Sequence, residues 1–507
     1  MSITYRTADI PDWKYILFLG ISLCLIPLTI SSDSLWIDES YNALFALQQT
    51  LGDFSKHFFA TTRSENQMPL GMFASWVGGK VLGTSEWSLR AVNLIWGLVT
   101  VLSFYFLGRR FRIPWLPLLL TIQPFFWFYM NEARPYTMQI ASGSLLLVAC
   151  VEADDNPSIE FRWLPAFFFG GLILCASSLL GVIPFFFFVL TLGAILFQRK
   201  YVPSRTALIT LGILFLLLTP LGVFYFWTLI HGAGGAKMWK PGLANLGYAL
   251  YEFLGFDGLG PARNEIRFLA KAHENKVSSL TQYLPGLLIF IGCYVSILVI
   301  FLKEKWYRIR SVRFSLFVIA GTCAVFLFAS FVMKWPFWGR HLSAVFPSVV
   351  LVIGLILSRI PEAKHYFKTS LLLLFSLMLL LSALTLRFSP RHAKDDYRSA
   401  AEVAKLAQHQ GKTVWWAADM AAAKYYGIIP YQLPEAKDSE IQTVNGVSFL
   451  MNPDPDSLAK LPAPALVIYS KPDIYDAHSS LQNWLSEQHY TLAKEFTSFK
   501  IWEKSGI

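Results

Sequence analysis

Eleven times along this chain, a run of mostly apolar residues reaches the length of a membrane-crossing helix. A helix needs about 20 such residues to span the hydrocarbon core, with a range of about 17–25. The runs lie at 13–31, 88–108, 113–130, 135–151, 163–181, 182–198, 206–230, 284–302, 314–333, 342–359 and 369–386. Backbone polar groups in lipid must be satisfied within their own segment, so each run reads as a helix. Composition agrees. Of the 507 residues, 54% are hydrophobic and only 15% charged, against about 25% charged in a soluble chain. That excludes a soluble multidomain enzyme. An aromatic content of 16% is the opposite of a disordered chain. The expected class is a polytopic α-helical membrane protein.

One further apolar stretch, 67–83, contains Lys80 and four glycines, and loop charge decides how it reads. If it does not cross, the untranslocated segments are 1–12, 109–112, 152–162, 198–205, 303–313 and 359–368. Together they hold 56 residues, 16 of them Lys or Arg. The first translocated segment, 32–87, also has 56 residues but only three basic ones, Lys56, Arg63 and Lys80. A crossing at 67–83 would turn the basic loops outward, against the positive-inside rule. The expectation is therefore eleven spans, N-terminus in and C-terminus out, with 67–83 an interfacial or re-entrant helix on the outer face. The stretch from Trp13 lacks a small-residue cleavage site and reads as a first span, not a cleaved signal. Most of the net charge of +10 then sets topology, and no groove-reading or base-stacking motif points to nucleic acid.

Three outer regions are long enough to carry function: 32–87, 231–283 and 387–507. The second opens Gly-rich (HGAGGAKMWKPG) and reads as a mobile loop with an interfacial helix near 243–255. In the third, hydropathy drops over 121 residues. Helical patterns near 395–409 and 477–488 alternate with strand-like TVWWAA, GVSFLM, ALVIYS and FTSFKIWE, enough for a small α/β domain. The expected division is a transmembrane catalytic domain at 1–386 and an extracytoplasmic α/β domain at 387–507.

Asp38 and Glu39 stand just after the first span, in SLWIDESYNALFAL. Either Ser34 or Asp38 could cap the following helix, and acids there suit its macrodipole. A carboxylate at the membrane–water boundary can equally accept a proton from an incoming hydroxyl. Adjacent residues on a helix point about 100° apart, so one would be the base and the other a helper. Glu132, Arg134 and Tyr136 lie in YMNEARPYTM, between two spans. Ionisable residues there are costly and by default functional. The plain alternative is a Glu132–Arg134 pair closing the turn, with Pro135 opening the next helix. An arginine at a membrane surface suits a phosphate, because its planar fork bonds two oxygens at once. Arg340 and His341 follow KWPFWG, again outside. They read either as a snorkelling helix end in a tryptophan belt or as a second phosphate contact.

His57, His231 and His273 lack metal-ligand spacing. The five cysteines, Cys24, Cys150, Cys175, Cys293 and Cys323, all lie in apolar runs and form no C-x-x-C pair. No cofactor or metal site is called for, and a divalent ion stays open. P-loop, G-x-G-x-x-G and nucleophile-elbow motifs are absent, so an activated donor would arrive through the membrane.

At this point the residues resemble the GT-C membrane glycosyltransferases, in particular the group of protein O-mannosyltransferases and the lipid A aminoarabinose transferase. W-I-D-E-S-Y-N-A is similar to that family's Asp-Glu motif in the first outer loop. M-P-L-G-M-F with L-G-T-S-E-W-S-L-R resembles its P-P-L-Y and G-x-S-E-x-x-x-R stretch. N-E-A-R-P-Y resembles its second acidic motif, G-R-H-L-S-A-V-F-P its late R-Y-L-x-x-x-x-P, and D-D-Y-R-S-A-A the opening of its outer domain. Gln67-Met68 stands where the family often carries Lys or His, and His341 where Tyr is usual. The resemblance implies an inverting sugar transfer from a polyprenyl-phosphate donor at the outer face. The acceptor would be a cell-envelope glycolipid, polysaccharide or protein. Asp38 would be the base, with Glu39 beside it and Glu132 as the second acid. Arg134, Tyr136, Arg340 and His341 would contact the donor phosphate.

Two other readings use the same features: a lipid-linked glycan transporter or flippase, and an oligosaccharide ligase with a pyrophosphate-linked donor. The outer domain and the absence of internal repeats weigh against a transporter. The one N-x-S triplet, Asn156-Pro157-Ser158, is blocked by proline. Without a glycosylation site or retention signal, the expected location is a bacterial inner membrane, with the site on the periplasmic face.

Overall fold

The computed structural model describes residues 10–61, 64–231, 242–266, 280–334, 337–358, 365–431 and 441–504. The Gly-rich stretch 232–241, residues 335–336 of KWPFWG and His273 lie outside the described residues. The chain is a polytopic helical membrane protein. Among the described residues, eight helices are long and apolar enough to cross a membrane: Asp12–Thr29, Glu86–Phe111, Tyr136–Asp155, Leu179–Gln198, Arg205–Ile230, Thr281–Lys303, Arg310–Met333 and Tyr366–Phe388.

The other three expected runs are helical but shorter or broken. Run 113–130 splits into Leu116–Thr121 and Pro124–Met130. Pro124 has no amide hydrogen and pushes the residue before it out of the helical region; Gln123 is accordingly extended, at φ −72° and ψ 127°. The Trp127 indole N–H donates to the Thr121 carbonyl that the break exposes. Run 163–181 falls mostly in Glu160–Ser177, with Pro165 inside, and its last three residues open the next span, Leu179–Gln198. Run 342–359 contributes the 13-residue helix Phe346–Ser358. Stretch 67–83 forms the 14-residue helix Pro69–Leu82. At 1.5 Å per residue it is about 21 Å long, short of the roughly 30 Å hydrocarbon core.

The chain divides into two compact units: Met1–Ser31, Ser55–Ala74 and Arg90–His392 in one, Ser32–Phe54, Ser75–Leu89 and Ala393–Ile507 in the other. The second unit therefore takes in most of residues 32–87 as well as the C-terminal region.

The first unit is built around Tyr136–Asp155, which is almost wholly buried. Helices Asn93–Phe111 and Glu160–Ser177 pack against it. Gly143 lets the backbone of residues 343–345 approach this helix closely, since a Cβ there would run into the Ala344 carbonyl. Ion pairs tie helix ends together: Arg109 with Asp12 at 3.0 Å, Arg110 with Asp155, and Asp154 with Arg199 at 3.3 Å and Arg310 at 2.9 Å.

The second unit holds a six-stranded sheet of β1 (Val414–Ala417), β2 (Gln442–Val444), β3 (Val447–Phe449), β4 (Leu466–Ser470), β5 (Tyr490–Phe496) and β6 (Phe499–Lys504). The order is β2-β3-β1-β4-β6-β5, with β1 parallel to β3 and β4 and the other pairs antiparallel. Successive strand side chains face opposite ways. Val414 and Trp416 meet Tyr397 and Ala400 of helix Tyr397–His409 on one face. Trp415 and Ala417 meet Leu481 and Leu485 of helix Ser480–Glu487 on the other. The four strand-like patterns expected from the sequence fall on β1, β3, β4 and β6. Strands β2 and β5 are additional.

Candidate functional site

In the second unit, Asp38 and Glu39 occupy the first turn of helix Ile37–Ala46. The N-cap residue is Trp36, not Ser34 or Asp38. Glu39 Oε2 accepts from the Trp36 amide at 3.4 Å and pairs with Lys394 Nζ at 2.8 Å. Glu39 has no solvent exposure, whereas Asp38 is half-buried. The two neighbouring carboxylates thus stand in different surroundings. The helix packs through Tyr41 and Leu44 on Ala421 and Tyr425. Its approach is fixed by Tyr426, whose hydroxyl accepts from the Leu35 amide at 2.8 Å and bonds Ser34 Oγ at 3.0 Å. Arg398, from D-D-Y-R-S-A-A, donates to Glu86 Oε1 at 2.8 Å and to the Ser32 carbonyl. Two sequence motifs some 300 residues apart are thereby one ion pair.

In the first unit, the turn between Pro124–Met130 and Tyr136–Asp155 is tied down by side chains from elsewhere. Asn93 Nδ2 donates to the carbonyls of Glu132 at 2.6 Å and Met130 at 3.1 Å. Asn131 Oδ1 accepts from the Ser31 amide at 2.7 Å. Arg90, fully buried, donates to the Ser31 carbonyl at 3.1 Å. On this frame Arg134 Nη1 lies 2.9 Å from Glu65 Oε1, with both side chains 4% exposed. The guanidinium carbons of Arg134 and Arg340 lie over the same ring, that of Tyr136, at 5.9 and 6.0 Å from its centroid. Arg134 and Tyr136 from one sequence motif and Arg340 from another are thus gathered at one ring in the first unit. His341 is buried, and its Nδ1 accepts from the Trp338 amide at 3.1 Å. Burial, then the Arg340 charge, drives its pKa well below the usual histidine value, so its imidazole is neutral.

Sequence reasoning missed Glu65, Glu252 and Asp257. Tyr129 donates to Glu252 Oε1 at 2.6 Å, and the charges of Glu132 and Arg340 also act on that hydroxyl. Tyr129 and Tyr136 meet edge to face at 5.0 Å. Asp257 is buried, and burial, then the Glu252 charge, pushes its carboxyl up to about 8. The signal for Glu252 was present: it is the one charge in the otherwise uncharged run LANLGYALYEFLGF. No group of three or more His, Cys, Asp or Glu lies close enough to hold a metal among the described residues.

No family model and no curated protein matches this sequence. The backbone does have a counterpart. The crystal structure of apo ArnT from Cupriavidus metallidurans matches over 97% of this chain and 98% of its own, with a TM-score of 0.55 at 13% identity. The chain has the GT-C fold. A second structure with the GT-C fold, ArnT from the same organism bound to undecaprenyl phosphate, matches with a TM-score of 0.52 at 12% identity. It covers 98% of this chain and 99% of its own. At such identities the GT-C likeness is one of backbone path. The residues singled out in the sequence divide between the units, Asp38 and Glu39 in one and Glu132, Arg134, Tyr136, Arg340 and His341 in the other.

Proposed function

We propose that this chain is an inverting membrane glycosyltransferase. It moves a sugar from a polyprenyl-phosphate donor to a hydroxyl of an extracytoplasmic glycolipid, polysaccharide or protein. The observation that carries the reading is the pair of guanidiniums, Arg134 and Arg340, over the buried ring of Tyr136. A planar cation at a membrane-embedded turn suits a lipid phosphate. The GT-C backbone adds support, since one neighbour with this fold was solved with undecaprenyl phosphate bound.

The chemistry runs in one displacement. The acceptor oxygen attacks the anomeric carbon as the bond from that carbon to the phosphate oxygen breaks. The electron pair leaves with the phosphate, and the acceptor's proton goes to the Asp38 carboxylate. A positioned base contributes about 10²–10⁴-fold. Arg134 and Arg340 stabilise the charge that develops on the leaving phosphate. No covalent intermediate forms, so the anomeric configuration inverts. Glu39, sealed by Lys394, serves by fixing the helix that bears Asp38. Glu132 is the second acid, on the turn that carries Arg134. His341, neutral and bonded to the Trp338 amide, serves by setting the turn that carries Arg340. The active face is the outer one, in a bacterial inner membrane.

The test is mass spectrometry of cell-envelope glycolipids, polysaccharides and glycoproteins from cells with the wild-type chain, without it, and with Asp38→Asn. A sugar that disappears in both altered strains supports the reading. Envelopes identical in all three would sink it.

A further inference from the structure

We infer that the first unit has an internal hydration site, a cleft among four helices in which three buried hydroxyls hold water. The inference is independent of the sugar-transfer reading.

The cleft lies along helix Tyr136–Asp155 from Leu147 to Asp154. Helices Val182–Gln198, Arg310–Met333 and Phe346–Ser358 form its other walls. Its volume is about 310 Å³, its open mouth included. Asp154, Ser311 and Phe314 are partly exposed and form that mouth, while the deeper walls are buried. Three of the deeper residues carry hydroxyls: Thr191, Ser315 and Ser348, which are 2%, 2% and 0% exposed. Each stands on a different helix, and each hydroxyl is buried with no hydrogen-bond partner among the described residues. Other hydroxyls of this unit fold back on their own helix. Ser142 and Ser144 donate to carbonyls four residues earlier, at 2.8 and 2.9 Å, and Ser177 and Thr228 to carbonyls three residues earlier. Thr191, Ser315 and Ser348 line the cleft instead.

A buried hydroxyl that makes no hydrogen bond is costly. Three of them around one space are met together by a ligand in that space, and the chemistry selects water. A cation finds no free charge there, because Asp154 is paired with Arg199 and Arg310. An anion would lie against the Asp154 carboxylate, among walls otherwise made by Leu147, Val151, Phe188 and Val318. Behind the mouth, the room is about that of one water molecule, too little for a sugar or a lipid chain. Water donates and accepts, as a hydroxyl does, and an internal water typically serves several polar groups at once. Water held there joins Val182–Gln198, Arg310–Met333 and Phe346–Ser358 by hydrogen bonds within a mostly apolar contact.

The test is hydroxyl-radical footprinting of the full-length protein in nanodiscs. X-rays generate the radicals throughout the sample, from bound water as well as bulk, and mass spectrometry reads the oxidised side chains. Cys150 and Phe188 line the cleft. Cys175 and Phe167 do not line it and are as deeply buried, at 2% and 1% exposure against 4% and 1%, which makes them matched controls. Cys150 and Phe188 should be oxidised several-fold faster than Cys175 and Phe167. Equal rates in the two pairs overturn the inference, since the cleft is then dry or filled by lipid. Ser348→Ala and Thr191→Val give a second readout whose sign differs between the readings. If the hydroxyls hold water, each variant should melt at a lower temperature, because the water loses a partner. A melting temperature that stays or rises means that the hydroxyl had been buried dry, and overturns the inference too. The wild-type comparison decides even if neither variant folds.

Discussion

Glu39 shares its carboxylate between the Trp36 amide and the Lys394 ammonium, while Asp38, one residue earlier, keeps partial access to water. That difference separates two acids that spacing alone left interchangeable. Spacing could show that they point about 100° apart, but it could not show that Lys394, 355 positions away, closes over one of them. We expect Asp38→Asn to lower transfer at least about a hundredfold with the melting temperature nearly unchanged. Glu39→Gln should instead lower stability by about 1–3 kcal/mol, because Lys394 loses its counter-charge. Transfer assays and thermal unfolding of both variants check this; normal turnover in Asp38→Asn would remove it as the base. Asp257 gives a pH signature. Its folded pKa of about 8 lies above the unfolded value of about 3.9. The stability linked to its proton is full below the unfolded value and is lost as pH rises through the folded one. Between those values the wild-type protein should lose up to about 1.4 kcal/mol per pH unit relative to Asp257→Asn, which keeps an oxygen for the Gly258 amide. Melting curves of the two proteins that run parallel from pH 5 to 8 would contradict this.

Helix Ile37–Ala46 carries Asp38, the proposed base, and its anchorage comes from the α/β region. Tyr41 and Leu44 sit on Ala421, and Tyr41 donates to Asp419 Oδ2 at 3.4 Å. Leu44 is 3% exposed, so Leu44→Ala should cost about 2–5 kcal/mol through lost burial and the cavity left behind. Thermal unfolding should show that loss, and proteolysis should reach the segment 393–431 sooner. An unchanged melting temperature would mean that the helix is held elsewhere. The sequence displayed the helix but not its docking, because nothing in its apolar pattern says which partner covers it. The same limit explains the strands. Those buried on both faces, such as VWWA and LVIYS, announce themselves as unbroken apolar runs. Strand β5 is mostly exposed at the sheet edge and β2 has three residues, so neither leaves a pattern. In the membrane-embedded region the long helices were plain from their runs. The break at Pro124 was hidden in a run that looks continuous by hydropathy alone.

At the scale of the molecule, the ion pairs between helix ends in the first unit constrain the expected count of passes. Arg109 pairs with Asp12, so an even number of passes separates them. Helices Asp12–Thr29 and Glu86–Phe111 already supply two, and Pro69–Leu82 adds none. Arg110 pairs with Asp155, so the split helices between 116 and 130 must together make the pass that precedes Tyr136–Asp155. Asp154 meets Arg199, which makes Glu160–Ser177 a pass, and it also meets Arg310, which fits two passes between 205 and 303. If Phe346–Ser358 returns and Tyr366–Phe388 leaves again, the total is eleven, with the basic ends inside. Cysteine labelling at two positions tests that topology. In a background where the exposed Cys24 is Ser, Glu304→Cys should react with an impermeant maleimide only in inverted vesicles. Lys412→Cys, on the α/β unit, should react only in intact cells or spheroplasts. Labelling of Glu304→Cys from outside would mean that Pro69–Leu82 crosses. Labelling of Lys412→Cys from inside, with Glu304→Cys as expected, would mean that Phe346–Ser358 does not cross. The α/β unit and the helix bearing Asp38 would then lie on opposite faces of the membrane, which the 2.8 Å pair between Glu39 and Lys394 forbids.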